Sequence, residues 1–189
     1  MRSGAILFAA MATLVPAQDK KDKQDEQKTT WQSQEHGFAI RKAGRKPKDF
    51  IFDFDKLPEN AILRIKHRVI MACVITITCH INKEGRDYKL DDQAKQFDDN
   101  IAKNAAVKVD KREKTRMGTG EEAMHWRLAR TDEKTADEYE FRVWLWFSAQ
   151  NKNLYLVEAM VKKGEWDGAS KIGKDIQDTI NTIQTYKSK

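Results

Sequence analysis

The chain has 189 residues, of which 34% are charged and 40% hydrophobic, and its formal charge is +6. This is the balance of a soluble globular protein, long enough for one core that needs no disulfide or metal staple. The positive excess is mild: it favours acidic partners or surfaces, but it argues solubility more than function.

The chain opens with a short positive start at Arg2, an uncharged apolar run from Ala5 to Val15, and Val15-Pro16-Ala17. That layout predicts a secretory signal over residues 1–17, cleaved after Ala17, and hence a periplasmic or secreted protein. The run is too short to span a bilayer, so no transmembrane segment is expected in the mature chain. No cysteine lies near the cleavage point, so a lipid-anchored form is not expected. Residues 18–30 (QDKKDKQDEQKTT) are charged and aperiodic and read as a disordered leader. A single domain is expected over 31–189.

Within that domain, His36 to Ile40 predicts a short strand, and Phe50 to Phe54 a second one ended near Leu57-Pro58. The β-branched run from Ala61 to Ile81 predicts one long strand, bent near His67-Arg68. It holds both cysteines, Cys73 and Cys79. Six strand residues apart they stand about 20 Å from one another, too far for a disulfide, and they read as core. A helix follows from Leu90 to Asn104, with Leu90, Ala94, Phe97 and Ile101 on one face, Asp91 and Asp92 at its positive end and Lys103 at its negative end.

From Ala106 the period changes to two. Val107–Arg116, Glu122–Arg130, Glu138–Ala149 and Leu154–Lys163 predict four strands joined by short turns, which makes an antiparallel meander. Trp166 to Thr185 predicts a closing helix striped by Ala169, Ile172, Ile176, Ile180 and Ile183. In Phe141–Phe147 both alternating faces are largely apolar, so this strand belongs at the centre of a sheet covered on both sides. The expected fold class is α+β: one mostly antiparallel sheet of about six strands with a helix packed on each face.

This order of elements resembles the PsbP-like fold, that of the extrinsic photosystem II subunit family, which extends to small secreted bacterial members and a Ran-binding import factor. The resemblance is carried by Trp31 with His36-Gly37-Phe38-Ala39-Ile40, the turn from Pro47 to Phe50 into a strand, the mid-chain helix, the meander and the closing helix. Ala43-Gly44-Arg45-Lys46 before Pro47 departs from a simple strand-then-proline layout. The resemblance implies a non-enzymatic domain that binds a protein or small ligand, and no matched residue carries over a metal site or a photosystem role.

The residues themselves contain no phosphate loop, no HExxH, no GxSxG and no SxxK motif of a catalytic kind. His36, His67, His80 and His125 lack metal-ligand spacing, and no cofactor or metal is expected. Asp53 and Asp55 share a strand face and could bind a cation or act as an acid/base pair, though a solvated edge is the simpler reading. The leading candidate is electrostatic. Arg41, Lys42, Arg45, Lys46 and Lys48 place five cations in eight residues, in a loop with Gly44 and Pro47. Such a loop can grip phosphate groups, an anionic polymer such as a polysaccharide, or an acidic protein. Arg64, Lys66, His67 and Arg68 extend the patch if their strand pairs nearby. Nucleic acid is not expected outside the cytoplasm, and the cations lack interleaved aromatics.

Trp144 and Trp146 would make a stacking platform on an exposed sheet, or core under a helix. The expected role is therefore a secreted or periplasmic binding or assembly domain. Two alternatives are an extracytoplasmic hydrolase built from separated residues such as His125, Glu140 and Asp53, and an apolar-ligand binder lined by Trp144, Trp146 and Ile176.

Overall fold

The computed structural model describes residues 28–85 and 88–187. The signal over 1–17 and most of the leader lie outside the described residues. Ten strands and two helices follow in order: β1 (Thr30–Ser33), β2 (Phe38–Arg41), β3 (Phe50–Asp53), β4 (Ala61–His67), β5 (Val74–His80), α1 (Leu90–Ile101), β6 (Val107–Arg116), β7 (Glu122–Thr131), β8 (Glu138–Phe147), β9 (Leu154–Lys162), α2 (Ile172–Ile180) and β10 (Gln184–Thr185). They form an α+β fold of two antiparallel sheets. The large sheet runs β3-β4-β5-β9-β8-β7-β6 and the small one β1-β2-β10.

The expected single sheet of about six strands is thus corrected to seven strands plus a separate sheet of three. The small sheet escapes a periodicity reading because its strands are four residues or fewer. Thr30 opens β1, and the Thr29 carbonyl accepts the Lys42 N–H at 2.8 Å, so the fold reaches back before Trp31.

The run from Ala61 to Ile81 is a hairpin, not one bent strand. Its turn is built by a side chain: His67 Nδ1 accepts the N–H groups of Val69 and Ile70 at 3.2 and 3.0 Å. The Asp49 carbonyl accepts the Arg68 N–H. Val69 and Met71 at the tip stand 74% and 73% exposed. Cys73 ends the turn and Cys79 lies in β5. Both are free and buried, and burial pushes each thiol up to about 12, so neither is a reactive thiolate.

The meander appears as expected, from β6 to β9, with β8 inside the sheet. Alternate residues of β8 serve two cores. Val143 and Leu145 join Met124, Trp126, Leu128, Leu154 and Leu156 beneath Ala94, Phe97 and Ile101 of α1. Phe97 sits 4.4 Å from the Trp126 ring, and Asp98 accepts the Trp126 indole N–H at 2.7 Å. Trp144 and Trp146 face the other way and join the larger core. That face is covered by α2 and by the small sheet, through Phe38 and Ile40, where a helix alone was expected. A buried aromatic or aliphatic side chain of this kind contributes about 1.5–3 kcal/mol, so both layers are strongly held.

The closing helix is shorter than its stripe suggests. Gly164 and Lys171 take left-handed backbone, with φ of +83° and +55°, so residues 163–171 form turns and α2 begins only at Ile172. Trp166 lies in those turns and is buried against Trp144, 6.4 Å away between ring centres.

One polar cluster ties the small sheet to the large one. Asn151 Nδ2 donates to the Tyr186 carbonyl at 2.9 Å and to the Gly37 carbonyl at 3.2 Å. Tyr155 and Asn153 donate to the His36 carbonyl. Tyr186 returns its hydroxyl to the carbonyls of Ser33 and Phe38 at 2.9 and 3.0 Å.

Candidate functional site

The basic loop joins β2 to β3 across the N-terminal end of α2. Two of its five cations hold the loop's shape. Asp175, buried in the first turn of α2, accepts the Arg45 backbone N–H at 2.9 Å and its Nε and Nη2 at 3.3 and 3.2 Å. Arg45 Nη2 also donates to the Ser170 carbonyl. Gly44 sits at φ +93°, and a Cβ there would lie 2.7 Å from the Asp175 side chain, so only glycine lets the loop approach so closely. Lys42 is 4% exposed, with its Nζ 4.8 Å from the centre of the Phe52 ring. Arg41, Lys46 and Lys48 are exposed beside them. The 3-10 turn Pro47–Asp49 then leads into β3.

Arg64 and Lys66 do not extend this patch as free cations. Both bind Asp53, each at 2.6 Å. Burial alone would raise the Asp53 carboxyl, but Lys66, Arg64 and the Asp55 N–H together hold it below the ordinary carboxylate range. Asp55 lies beyond the end of β3, where its N–H donates back to Asp53 at 3.1 Å. The two aspartates therefore make a turn and an ion pair rather than an acid/base pair.

The dispersed hydrolase residues are not brought together. Asp53 is on β3 and His125 on β7, five strand positions apart in the sheet, which at about 4.8 Å per strand is roughly 24 Å. Glu140 faces Arg127 and Arg142 at 3.7 and 3.5 Å instead. The apolar-pocket residues are corrected too: Trp144, Trp146 and Ile176 are 5%, 0% and 0% exposed and pack on one another's cluster as core. A cleft of about 630 Å³ opens at the end of β6 and β7, where Lys108 and Lys163 are paired with Asp110 and Glu138 at 3.3 and 2.7 Å. Among the described residues no three of His, Cys, Asp and Glu come together as metal ligands.

Glu158 is the titratable group that pattern reading passed over. It is half-buried in the middle of β9, between Thr76 on β5 and Val143 on β8. Burial pushes its carboxyl up to about 7 from an ordinary 4.5. The folded state therefore keeps a proton that the unfolded chain releases, so stability falls as pH rises from 4.5 and the loss is complete above 7. Glu158→Gln is expected to stabilise the fold by about 1–2 kcal/mol at pH 8, a value discounted for the part of the residue that solvent reaches, and by nothing at pH 4. Urea unfolding at both pH values checks this; equal effects at pH 4 and 8 would refute it.

No protein-family model matches the chain, and no curated protein matches it in sequence. Solved structures do match in fold. Cyanobacterial PsbP from Synechocystis aligns with a TM-score of 0.55 at 11% identity, over 83% of this chain and 91% of that one. A protein from Bacteroides thetaiotaomicron aligns with a TM-score of 0.55 at 16% identity over 85% of this chain, which spans about half, 49%, of that protein. The Ran-binding protein Mog1p of Saccharomyces cerevisiae aligns with a TM-score of 0.50 at 10% identity, over 80% of this chain and 91% of that one. The chain has the PsbP-like fold.

Proposed function

We propose that this chain is a periplasmic or secreted binding or assembly domain, not an enzyme, that recognises an acidic partner or an anionic surface through the loop from Arg41 to Lys48. The observation that carries this reading is the division of labour in the loop. Arg45 and Lys42 fix its shape through Asp175 and the Phe52 ring, and Arg41, Lys46 and Lys48 stand exposed on that fixed backbone. Cations held on an ordered loop lose less entropy on binding than cations on a mobile one. The yeast neighbour is described as a Ran-binding protein, which favours a binding role for the fold. No described helix is long and apolar enough to cross a membrane, and the apolar run before Ala17 supports export.

The triple variant Arg41→Glu/Lys46→Glu/Lys48→Glu tests it. Salt-gradient elution from a sulfated polymer column should fall to a markedly lower ionic strength, with recurrent crosslinks at the loop lost and the melting temperature kept within about 2 °C, since exposed charges contribute little to stability. Unchanged elution and crosslinking would sink the loop as the recognition surface. N-terminal sequencing from fractionated cells tests export: a start at Gln18 outside the cytoplasm supports it, and an intact Met1 in the cytoplasm overturns it.

A further inference from the structure

A second group of cations lies on other elements and is organised differently. Arg127 on β7 and Arg142 on β8 stand directly opposite each other across the strand pair. Like charges at that spacing repel, so the pairing calls for a counter-charge. The counter-charge within the described chain is loose. Glu140 is 3.7 Å from Arg127 Nε and 3.5 Å from Arg142 Nη2, and Asp167, largely in solvent, is 3.6 Å from Arg142. Well-made charge-assisted bonds are about 2.7–2.9 Å.

The donors confirm the mismatch. Nε of Arg127 and Nε of Arg142 are buried with no hydrogen-bond partner among the described residues; His125 donates its Nδ1 N–H to Glu113, which leaves its unpartnered Nε2 as an acceptor. His125 lies two residues before Arg127 and so on the same side of β7. Buried polar groups are rarely left unpaired without a functional reason. Two of the three side chains are also held stiffly. The Arg142 guanidinium lies 4.1 Å from the centre of the Trp166 ring, and the His125 ring stacks on Trp144 at 4.9 Å with its Nδ1 3.2 Å from Glu113. Lys111, the cross-strand partner of Arg127 on β6, is engaged by Glu113 at 2.8 Å and is not part of the group. Arg142 and His125 keep 13% and 12% of their side chains exposed and Arg127 39%, so access comes from the Arg127 side.

We infer that Arg127 and Arg142, with His125 as a wall, form a subsite for a tetrahedral oxyanion, a phosphate or sulfate group, either free or carried as a monoester. Two guanidinium forks on adjacent strands offer more donors than a carboxylate has oxygens, and they suit an acceptor with three or four. The incoming group neutralises the Arg127–Arg142 repulsion that Glu140 only partly offsets. The subsite uses none of the residues from Arg41 to Lys48, so it stands or falls apart from the loop.

The test is NMR of the full chain, following the arginine Nε–H signals during titration with sodium sulfate, inorganic phosphate and phenyl phosphate, with sodium chloride at matched ionic strength as the control. Saturable shifts at Arg127 and Arg142 are expected with the oxyanions and not with chloride. Arg127→Gln should weaken binding at least tenfold and Arg127→Lys by less. These variants carry the test because Arg142 packs on Trp166 and its replacement can disturb the fold; tryptophan fluorescence checks that both remain folded. Tighter binding of phenyl phosphate than of phosphate identifies a carried group, and the reverse a free ion; either supports the subsite. Shifts that chloride reproduces, or an Arg127→Gln variant that binds as well as the parent, would overturn it.

Discussion

Replacing Gly173 with alanine is expected to destabilise the protein by about 3 kcal/mol, the upper end for overpacking a rigid contact. Inside a helix this change ordinarily stabilises by up to about 1 kcal/mol. Here the added Cβ would lie 2.1 Å from the Trp166 carbonyl oxygen and 2.8 and 2.9 Å from its carbonyl carbon and Cα. These are backbone atoms, so no rotamer change relieves the clash. The turns over 163–171 would have to leave α2 and take Trp166 out from between Trp144 and Arg142. Gly120→Ala is the matched control. It sits at φ +91° with open space around its Cβ, so it should cost only the left-handed penalty of about 1–2 kcal/mol. Urea denaturation of the two variants compares them, and a Gly173→Ala no worse than Gly120→Ala would show that the contact yields.

The second large effect is expected at Arg45. Arg45→Ala removes the two side-chain donors that Asp175 accepts, and leaves a carboxylate with 6% side-chain exposure holding one backbone N–H. Stranding a buried charge costs about 3–5 kcal/mol; the Arg45 side chain is 48% exposed, which places the expected loss nearer 2–3 kcal/mol. Asp175→Ala should cost less, because the freed guanidinium can turn to water. The double variant should be less destabilised than the sum of the singles, the signature of a direct interaction. Additive effects in thermal unfolding would mean that the pair does not couple. Because Arg45 shapes the loop, Arg45→Ala should also weaken binding at Arg41, Lys46 and Lys48 without touching them.

Much of the fold was legible where period and turn chemistry agree. The four strands of the meander are each nine or ten residues long, and their turns carry Gly118 and Gly120, Asp132 and Asp137, and Asn151 and Asn153. The hairpin inside Ala61–Ile81 was hidden because its turn residues, Val69, Ile70 and Met71, carry no turn signature; the His67 ring does the work that glycine or asparagine does elsewhere. The end of the long closing helix was misplaced because Ala169 and Ile183 keep the stripe's spacing while lying outside α2.

The site was legible only as a list of cations. Which of them are committed to the fold depends on Asp175, 130 positions from Arg45 and set on the buried face of an amphipathic helix with no local mark. The opposition of Arg127 and Arg142 depends on the register of β7 against β8, where one residue of slip would separate them onto opposite faces.

The small sheet bears on how the chain reaches its native state. Its middle strand, β2, is flanked by β1 on one side and by β10 on the other, so both ends of the described chain meet on four residues. Tyr186 reaches back over 153 positions to Ser33 and over 148 to Phe38. Contacts at that separation require closing nearly all of the described residues into one loop, which makes them late events in folding. During synthesis β2 must wait, with one edge open, until Gln184 and Thr185 have left the ribosome. The meander can mature early; the lock between the two sheets is made by Gln184, Thr185 and Tyr186.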